Sequence, residues 1–420
     1  MDLEIVTIGT ELVLGHTIDT NAAYLARALA AIGARVPRKT SVPDEPDLMR
    51  DAIAGGLART GIVVTSGGLG PTRDDRTKQV VADLFGVPLV TDAEYLARLE
   101  ARWRRLGRSG AMPEANRTQA QRPAGATVLP NPRGSAPGLW LEGQPGLVVM
   151  LPGVPHEFCG LTDDEVVPRL LARSGPGGVT RSRTLRTTGI PESQLGDLLG
   201  PLEDELLPAT LAYLPSFDGV DLRLTAWRMP PAEADAVLGR AAARVLGVVG
   251  DRCYGEDGAD LAAVVLARAR AAGGRIAVAE SCTGGLVGAR LTAVPGASTV
   301  FVGGVIAYDD AIKVRELEVP AEVIAGHGAV SEPVVRAMAA GAQRRFGAEA
   351  AIAVSGIAGP DGGTEEEPVG TVWLCAAWGA DRRAVRIGFP GDRSEIRGRA
   401  AQAALDLLRR LLPPGPGGVR

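Results

Sequence analysis

The sequence predicts an α/β protein made of three domains, and three observations support that prediction. The chain has 420 residues, of which 45% are hydrophobic, which is enough for several cores. Apolar strands alternate with helical patterns in its first and last parts, as in parallel sheets with crossover helices. Breaker-rich segments at residues 174–178 and 250–258 flank a short middle part. We therefore place the domains at residues 1–171, 179–250 and 256–413.

The first domain is predicted to be a parallel-sheet α/β domain with a ligand site. Strands are expected at residues 3–8, 62–66 and 147–151, and helices at 21–32 and 77–85. Glycine-rich loops follow these strands, and such loops cradle phosphates with backbone N–H groups. Because loops after parallel strands gather at one sheet edge, we expect a single site there. Its predicted ligand-binding residues are Gly9, Glu11, Gly67, Gly68, Gly70, Lys78, Ser135, Pro152 and Gly153.

Paired carboxylates and a rare lysine follow the second of these loops. Asp74 and Asp75 are predicted to hold a divalent cation such as Mg²⁺ against phosphate oxygens, although one of them could instead cap the next helix. Only three of the 45 basic residues are lysines: Lys39, Lys78 and Lys313. A desolvated lysine can act as a base, whereas arginine stays protonated. We therefore expect chemistry at Lys78 and Lys313, and none at Lys39, which lies in a loop.

The spaced motifs of the first domain resemble the molybdopterin-binding fold of the molybdenum-cofactor biosynthesis proteins, in the form found in the CinA family. The resemblance covers residues 8–12, 19–22, 67–77 and 151–155. It implies a phosphate-rich ligand and, for some members, metal-dependent hydrolysis of ADP-ribose at the pyrophosphate. A molybdopterin-related ligand is the alternative.

The middle domain is predicted to be a small α+β unit. Strands are expected at residues 184–188 and 220–227, and helices at 191–199 and 231–246, before a hinge at 250–258. The unit resembles the KH-type domain found between the outer domains of CinA proteins. It lacks a basic GxxG loop, and the acidic residues 203–205 oppose phosphate. We therefore expect a packing module and not an RNA-binding one.

The third domain presents three possible nucleophiles on one turn. The apolar residues 276–279 lead into Ser281, Cys282 and Thr283, then Gly284 and Gly285, before a helix at 286–291. A helix N-terminus offers unpaired N–H groups, which suits a nucleophile beside an oxyanion hole. A plain helix cap is the alternative interpretation.

The partners of this turn are predicted from two further segments. No Ser-His-Asp spacing is visible, so the base is expected to be Tyr308, at the end of a strand at 301–308, or Lys313, five residues on. A dense glycine loop follows the strand at 350–354 and is predicted to bind substrate through Gly356, Gly359, Gly362, Gly363 and Thr364. A helix at 260–272, a strand at 371–376 and a helix at 393–412 complete the α/β pattern.

Together these motifs resemble the C-terminal domain of the CinA family, the nicotinamide-nucleotide amidases. The resemblance implies hydrolysis of the amide of nicotinamide mononucleotide to the acid, with release of ammonia and no cofactor. Carried over, Ser281 is the nucleophile, Tyr308 and Lys313 relay its proton, and N–H groups of residues 283–285 hold the oxyanion. The sequence departs from the pattern in two places: Asp309-Asp310 replaces the common Ser-Asn, and Glu367 replaces the common lysine. Cys282 is the alternative nucleophile.

The composition limits which classes of partner and which cellular compartment we expect. The net charge of −4 gives no electrostatic reason to expect nucleic acid or a membrane surface, and no apolar run is long enough to span a bilayer. The four cysteines are far apart and the first residues lack signal-peptide features, so we expect a reduced, cytoplasmic protein. The expected partners are small-molecule nucleotides and a second copy in a homodimer. A non-catalytic protein associated with competence or DNA damage is the remaining alternative.

Overall fold

The structure is a computed structural model and describes residues 1–105, 107, 110–174 and 178–414. The chain forms two compact units. One contains Met1–Arg181 and Ala226–Asp235, and the other contains Ser182–Thr225 and the chain from Ala236 onward. Both are mixtures of helices and strands, so the predicted α/β class is confirmed. The linker predicted at 174–178 has its central residues, 175–177, outside the described part of the chain.

The first unit contains a mixed sheet covered by helices. Its strands are β1 (Glu4–Ile8), β2 (Lys39–Val42), β3 (Ile62–Ser66), β4 (Leu89–Thr91), β5 (Gln121–Pro123), β6 (Thr127–Leu129), β7 (Gly138–Gly143) and β8 (Gly146–Leu151). Its helices are α1 (Thr10–Val13), α2 (Thr20–Ala31), α3 (Pro46–Thr60), α4 (Thr77–Phe85), α5 (Ala93–Arg105), α6 (Glu114–Arg117), α7 (Pro155–Leu161) and α8 (Val167–Ser174). A 3-10 helix at Thr118–Ala120 and a π-helical turn at Thr162–Val166 join them.

The strand order of the main sheet is β2-β1-β3-β8-β7-β6. Strands β2, β1, β3 and β8 are parallel, whereas β7 and β6 are antiparallel to their neighbours. The residues of β1 and β3 are buried along their whole length because helices cover both faces, as expected for parallel strands. Separate apolar clusters fill the two faces. Strands β1, β3 and β8 were predicted, whereas β2, which begins at Lys39 in a stretch expected to be a loop, and the antiparallel strands were not.

The middle segment forms a four-stranded sheet with helices. Its elements are β9 (Val179–Thr187), α9 (Glu192–Leu199), β10 (Ala209–Pro215), β11 (Val220–Met229), α10 (Pro231–Val249) and β12 (Cys253–Glu256), with 3-10 helices at Gly200–Leu206 and Gly250–Arg252. The sheet order is β10-β11-β9-β12. The hinge expected at 250–258 is therefore wrong. Because β12 pairs antiparallel with β9 and the Tyr254 side chain is buried, this stretch is an edge strand.

The third segment forms a five-stranded sheet. Its elements are α11 (Leu261–Ala271), β13 (Ile276–Glu280), α12 (Leu286–Thr292), β14 (Phe301–Ile306), α13 (Asp310–Leu317), α14 (Ala321–His327), α15 (Glu332–Phe346), β15 (Ala350–Gly356), β16 (Thr371–Trp378), β17 (Asp381–Gly388) and α16 (Arg393–Leu411), with a 3-10 helix at Ala297–Thr299. The order is β14-β13-β15-β16-β17. Strands β14, β13 and β15 are parallel, so their carboxyl ends meet at one edge.

Helix α16 also joins the third segment to the middle one. Gln402 Nε2 donates to Asp218 O at 2.8 Å, and Arg409 Nη2 donates to Asp251 O at 2.5 Å. Arg409 is only 1% exposed and is paired with Asp406 on its own helix. The hydrogen bonds to Asp218 and Asp251 form only when both segments are present. Within the described ranges, no helix combines the length and apolar composition that crossing a membrane requires.

Candidate functional site

Ser281 lies where the central parallel strand of the third segment ends. Every residue of β13 is buried, and Glu280 is in register with Ile306 on one side and Val354 on the other. The Ser281 N–H donates to Val354 O at 2.9 Å, which fixes the backbone of the turn to β15. The Ser281 residue is 7% exposed. The strand-to-turn geometry therefore holds this hydroxyl at the sheet edge.

The buried Glu280 carboxylate organises the start of α12. It accepts hydrogen bonds from the N–H groups of Gly285 at 3.0 Å, Val287 at 3.1 Å and Gly288 at 2.8 Å. The Gly284 N–H donates to Ser281 O at 3.0 Å. The prediction that the Gly284 and Gly285 N–H groups bind the oxyanion is therefore corrected, because both groups already donate hydrogen bonds to acceptors within the turn. Their left-handed φ values of 60° and 96° explain why glycines stand there.

Tyr308 and Lys313 face the same cavity as Ser281. The cavity has a volume of about 200 Å³ and includes Ser281, Cys282, Tyr308 and Lys313 in its lining. Lys313 is 2% exposed, and its Nζ donates to Asp310 Oδ1 at 2.9 Å. Asp310 belongs to the Asp309-Asp310 pair, at which the sequence departs from the pattern described above. The predicted pair of partners is therefore brought to the predicted serine.

Arg393 and Ser355 are functional candidates that were not predicted from the sequence. Arg393, at the start of α16, donates from Nη2 to the Tyr308 hydroxyl at 2.9 Å and from Nη1 to Gly359 O at 2.6 Å. The Ser355 hydroxyl donates to Ala329 O at 2.7 Å, and both residues line the cavity. Arg393 is 85 positions from Tyr308, so no local pattern signals their contact. The capping box of Asp392 and Glu395 was the available signal for where its helix begins.

The glycine loop after β15 reaches the cavity only in part. Gly356 belongs to the lining, and Gly359 contributes through its carbonyl contact with Arg393. Gly362 and Gly363 are not among the lining residues. The Thr364 hydroxyl accepts the Glu367 N–H at 3.0 Å and so closes its own turn. Substrate contact by these last three residues stays a prediction.

The Cys282 thiol is a weak alternative to Ser281 as a nucleophile. Its side chain also lines the cavity, but burial raises the pKa of this thiol to about 11. The thiolate is the reactive form of cysteine, so little of it exists near pH 7. The thiol is also free of any disulfide. His327 is exposed at the end of α14.

The loops of the first unit do converge at the carboxyl edge of its parallel strands. The Gly67 N–H donates to Leu151 O at 2.9 Å, and a Cβ on Gly67 would lie 2.2 Å from Ile8 O. A Cβ on Gly153 would lie 3.5 Å from the Gly67 Cα. Asn21 Nδ2 links the same edge by donating to Gly153 O at 2.8 Å and to Ser66 Oγ at 3.0 Å. Asn21 was not among the predicted ligand-binding residues.

The other predicted ligand-binding residues surround this edge. The Glu11 carboxylate lies against Gly9, since a Cβ there would be 2.5 Å from Glu11 Oε1. A Cβ on Gly68 would be 2.1 Å from the Thr77 hydroxyl oxygen. Pro152 is buried directly after β8. Ser135 lies on another loop, where its hydroxyl accepts the Gln119 side-chain amide at 3.3 Å.

The two carboxylates after the Gly67 loop have different environments. Asp75 accepts the Gly70 N–H at 2.7 Å and the Thr72 N–H at 2.8 Å, so it holds its own loop together. Asp74 is exposed, and a hydrogen bond from Thr72 lowers the pKa of its carboxyl group. No group of three or more His, Cys, Asp or Glu side chains able to hold a metal occurs in the part of the chain that the structure describes. Metal binding by this pair stays a prediction, with Asp74 the more accessible ligand.

Lys78 is buried in the first turn of α4. It is 5% exposed, and its Nζ donates to Thr118 O at 2.7 Å. Burial lowers the pKa of this lysine to about 8, although the Asp75 charge opposes that shift. A lysine in this state can exchange a proton near neutral pH. Lys39, in contrast, is exposed, so the two lysines differ in environment as predicted.

Three family models match the chain along its length. A model described as a probable molybdopterin binding domain matches residues 4–172, a damage-inducible protein CinA KH domain matches 182–255, and a CinA C-terminal domain matches 258–412. The fold and the site therefore define a three-domain α/β protein that ends in a CinA-type domain with a serine at a strand-to-helix turn.

Full-length relatives make the assignment specific. The chain is 55% identical over 413 residues to a CinA-like protein of Gemmatimonas aurantiaca, covering 98% of this chain and 96% of the relative. It is 44% identical to one of Anaeromyxobacter sp., covering 97% and 99%. The chain belongs to the CinA family. A solved competence/damage inducible protein of Agrobacterium tumefaciens is 37% identical, covering 36% of this chain and 93% of that one, with a TM-score of 0.35.

Proposed function

We propose that the third domain hydrolyses the amide of nicotinamide mononucleotide to nicotinic acid mononucleotide and ammonia. The observation that supports the proposal is one cavity lined by Ser281, Tyr308 and Lys313 at the carboxyl edge of parallel strands. A hydroxyl nucleophile next to a lysine and a tyrosine suits acyl transfer from an amide. The reaction draws on side chains and backbone N–H groups alone.

The chemistry proceeds through an acyl-enzyme. Ser281 Oγ attacks the carboxamide carbon, and the serine proton passes through Lys313 and Tyr308 to the departing nitrogen, which leaves as ammonia. Water then attacks the resulting ester, which releases the carboxylic acid and restores the serine hydroxyl. The Gly284 and Gly285 N–H groups already donate hydrogen bonds within the turn. The oxyanion would therefore be bound by the N–H of Cys282, the residue after the nucleophile, and by that of Thr283.

Arg393 orients the proton relay. Its guanidinium donates to the Tyr308 oxygen, so the phenolic hydrogen is left to point toward another acceptor. Asp310 accepts a hydrogen bond from Lys313 Nζ at 2.9 Å. The two residues thus fix the relay at both ends, although Tyr308 is 60% exposed.

The test is release of ammonia from nicotinamide mononucleotide by the purified protein. Ser281→Ala should lower turnover by at least about 10³-fold, and the matched variant Cys282→Ala should keep most of it. Lys313→Arg keeps the charge but cannot deprotonate, so a relay role predicts a loss of about 100-fold in kcat with a smaller change in KM. Full activity in Ser281→Ala would refute the proposal. Near-normal turnover in Lys313→Arg would show that Lys313 acts only as a positive charge and does not transfer a proton.

A second function is proposed for the first domain, namely hydrolysis of ADP-ribose at its pyrophosphate. The convergence of the Gly67 and Gly153 loops at one sheet edge favours it, because such edges bind phosphate groups. A divalent cation would be held there by Asp74 together with oxygens of the substrate, and it would neutralise the pyrophosphate charge. Lys78, buried nearby on α4, is suited to hold or give up a proton near neutral pH.

Paired substitutions test this second proposal. Asp74→Asn should abolish Mg²⁺-dependent release of AMP from ADP-ribose and leave ammonia release unchanged. Asp75→Asn is expected to loosen its loop as well, because it removes an acceptor of two backbone N–H groups. Undiminished hydrolysis in Asp74→Asn would refute the role of that carboxylate. A cytoplasmic homodimer belongs to the same proposal, and cell fractionation and analytical ultracentrifugation would test it.

A further inference from the structure

A turn of the middle segment contacts two helices of the third segment at once. It comprises residues 216–219, between β10 and β11, and we call it the β10–β11 turn. The Ser216 N–H donates to Gly219 O at 2.8 Å and closes the turn. A Cβ on Gly219 would lie 2.0 Å from Thr187 O, so the turn lies directly against the end of β9. Its position is therefore fixed by its own segment.

Helices α12 and α16 each contact this turn through polar or charged side chains. On α12, Arg290 Nη1 lies 3.5 Å from Asp218 Oδ1. On α16, Gln402 is 3% exposed and donates from Nε2 to Asp218 O at 2.8 Å. Arg399, three residues before Gln402, lies over the Phe217 ring at 5.7 Å from its centroid, which is a cation–π contact. Asp218 thus links the two helices through its carboxylate and its carbonyl.

The same two helices support the turn that carries Ser281. Helix α12 follows this turn directly, and Arg397 of α16 donates from Nη2 to Thr283 O at 2.8 Å. Thr283 is fully buried, and its hydroxyl has no hydrogen-bond partner in the part of the chain that the structure describes. Its side chain therefore does not anchor the turn, whereas Arg397 does. Arg393, at the start of α16, adds the contact with Tyr308 described above.

The contacts of α16 form two rows along the helix. Arg393 and Arg397, four residues apart, form the row that reaches the Ser281 site. Arg399 and Gln402, three residues apart, form the row that reaches the β10–β11 turn. Gln402 follows Arg397 by five residues, which is about 7.5 Å along an α-helix. Since a packed helix moves as a rigid element over this distance, a shift at Gln402 displaces Arg397 as well.

We propose that the β10–β11 turn positions the Ser281 site through α12 and α16, with Phe217 and Asp218 as its positioning residues. The inference rests on the proposed amidase function for the reaction itself, and it gives the middle segment a role beyond packing. Neither residue is among those that line the cavity. A misplacement of about 1 Å can cost about 100-fold in rate, so a turn that holds two supporting helices can affect turnover without touching substrate.

The first experiment compares the kinetics of ammonia release in two variants of the full-length protein. Gln402→Leu keeps a side chain of similar size but removes the donor to Asp218 O. We expect kcat to fall about tenfold and KM to change less than about twofold, because the groups that contact substrate are unaltered. Arg410→Gln is the matched control. Arg410 Nη1 donates to Asp251 Oδ2 at 2.9 Å, so it also joins α16 to the middle segment, but at the far end of the helix. Its kcat should stay within about twofold of the unaltered value.

The second experiment measures amide hydrogen exchange in the same proteins without substrate. Gln402→Leu should speed exchange at residues 281–292 by at least about threefold, and Arg410→Gln should not. Asp218→Asn tests the link from the side of α12 and leaves the backbone carbonyl in place, so the fold is kept. It should speed exchange at residues 286–292 but not at 393–402.

The two readouts separate failure of this inference from failure of the amidase proposal. Exchange reports on the Ser281 turn even if the unaltered protein releases no ammonia from nicotinamide mononucleotide. Equal kcat values for Gln402→Leu and Arg410→Gln, or exchange at residues 281–292 that is unchanged in both Gln402→Leu and Asp218→Asn, would overturn the inference.

Discussion

Replacing Lys78 by methionine should make the stability of the first unit less dependent on pH. The pKa of Lys78 falls from 10.5 to about 8 on folding, because the side chain is buried. Between these values the unfolded chain binds a proton that the folded chain does not, so stability rises with pH. Below pH 8 both states are protonated, and the buried charge costs the folded state about 3 kcal/mol at most, at about 1.4 kcal/mol for each pKa unit.

The size of this pH dependence follows from the pH range between the folded and unfolded pKa values of Lys78. From pH 7 to pH 9.5 the unaltered protein should gain about 2 kcal/mol in unfolding free energy relative to Lys78→Met, which corresponds to about 1.5 pH units above the folded pKa. Methionine also leaves Thr118 O without the Lys78 donor, at a cost of about 1–3 kcal/mol that does not vary with pH. The change with pH, and not the absolute difference, is therefore the decisive quantity.

The assay is urea unfolding followed by pulse proteolysis of the full-length chain at pH 7, 8, 9 and 9.5. Lys39→Met is the matched control, because it removes an exposed lysine from the same unit. Its difference from the unaltered protein should stay constant across the series. A constant difference for Lys78→Met as well would show that the folded pKa is not lowered and would refute the reasoning.

Three other outcomes are expected. Glu280→Gln should lower the unfolding free energy of the second unit by about 1–3 kcal/mol in urea titrations, because it disturbs an acceptor of three backbone N–H groups; no change would contradict that role. Gly67→Ala should cost more than about 2 kcal/mol, since its Cβ would meet Ile8 O, whereas Gly15→Ala, with open space around it, should cost about 1 kcal/mol; equal costs would contradict the packing argument. Ammonia release should persist in EDTA, and its loss there would point to a metal at the serine site.

The sequence was most informative where residue type and backbone geometry agree. Strands β1, β3 and β13 are short apolar runs that end in glycine-rich turns, so both their position and the edge they feed were predictable. The grouping of Ser281 with Lys313 followed from the rarity of lysine, and the cavity that they share supports it. Strand β6 was missed because its three residues are too few for a clear period, and β7 was missed because it begins and ends with glycine, a residue that is uncommon in strands.

The remaining differences concern side chains whose type does not reveal their partner. Glu280 directly precedes Ser281, and no role was predicted for it. Its carboxylate nevertheless determines which N–H groups of the turn already donate a hydrogen bond. Asp75 has a side chain of the type that binds metals, but it accepts a hydrogen bond from a backbone N–H group of its own loop. Arg393 reaches Tyr308 only through the fold. Such roles depend on distances between segments remote in the chain, which one sequence does not encode in any local pattern.

The contacts of α16 with the middle segment have a consequence for how this family can evolve. In a shortened relative that kept only the third domain, the side chain at position 409 would lose the carbonyl of Asp251, and the one at 402 would lose that of Asp218. A buried donor without its acceptor is costly, so Gln402 and Arg409 should covary with the presence of the middle domain. Those two positions would then serve as a marker, readable from sequence, of whether a homologue descends from a fused or a stand-alone ancestor.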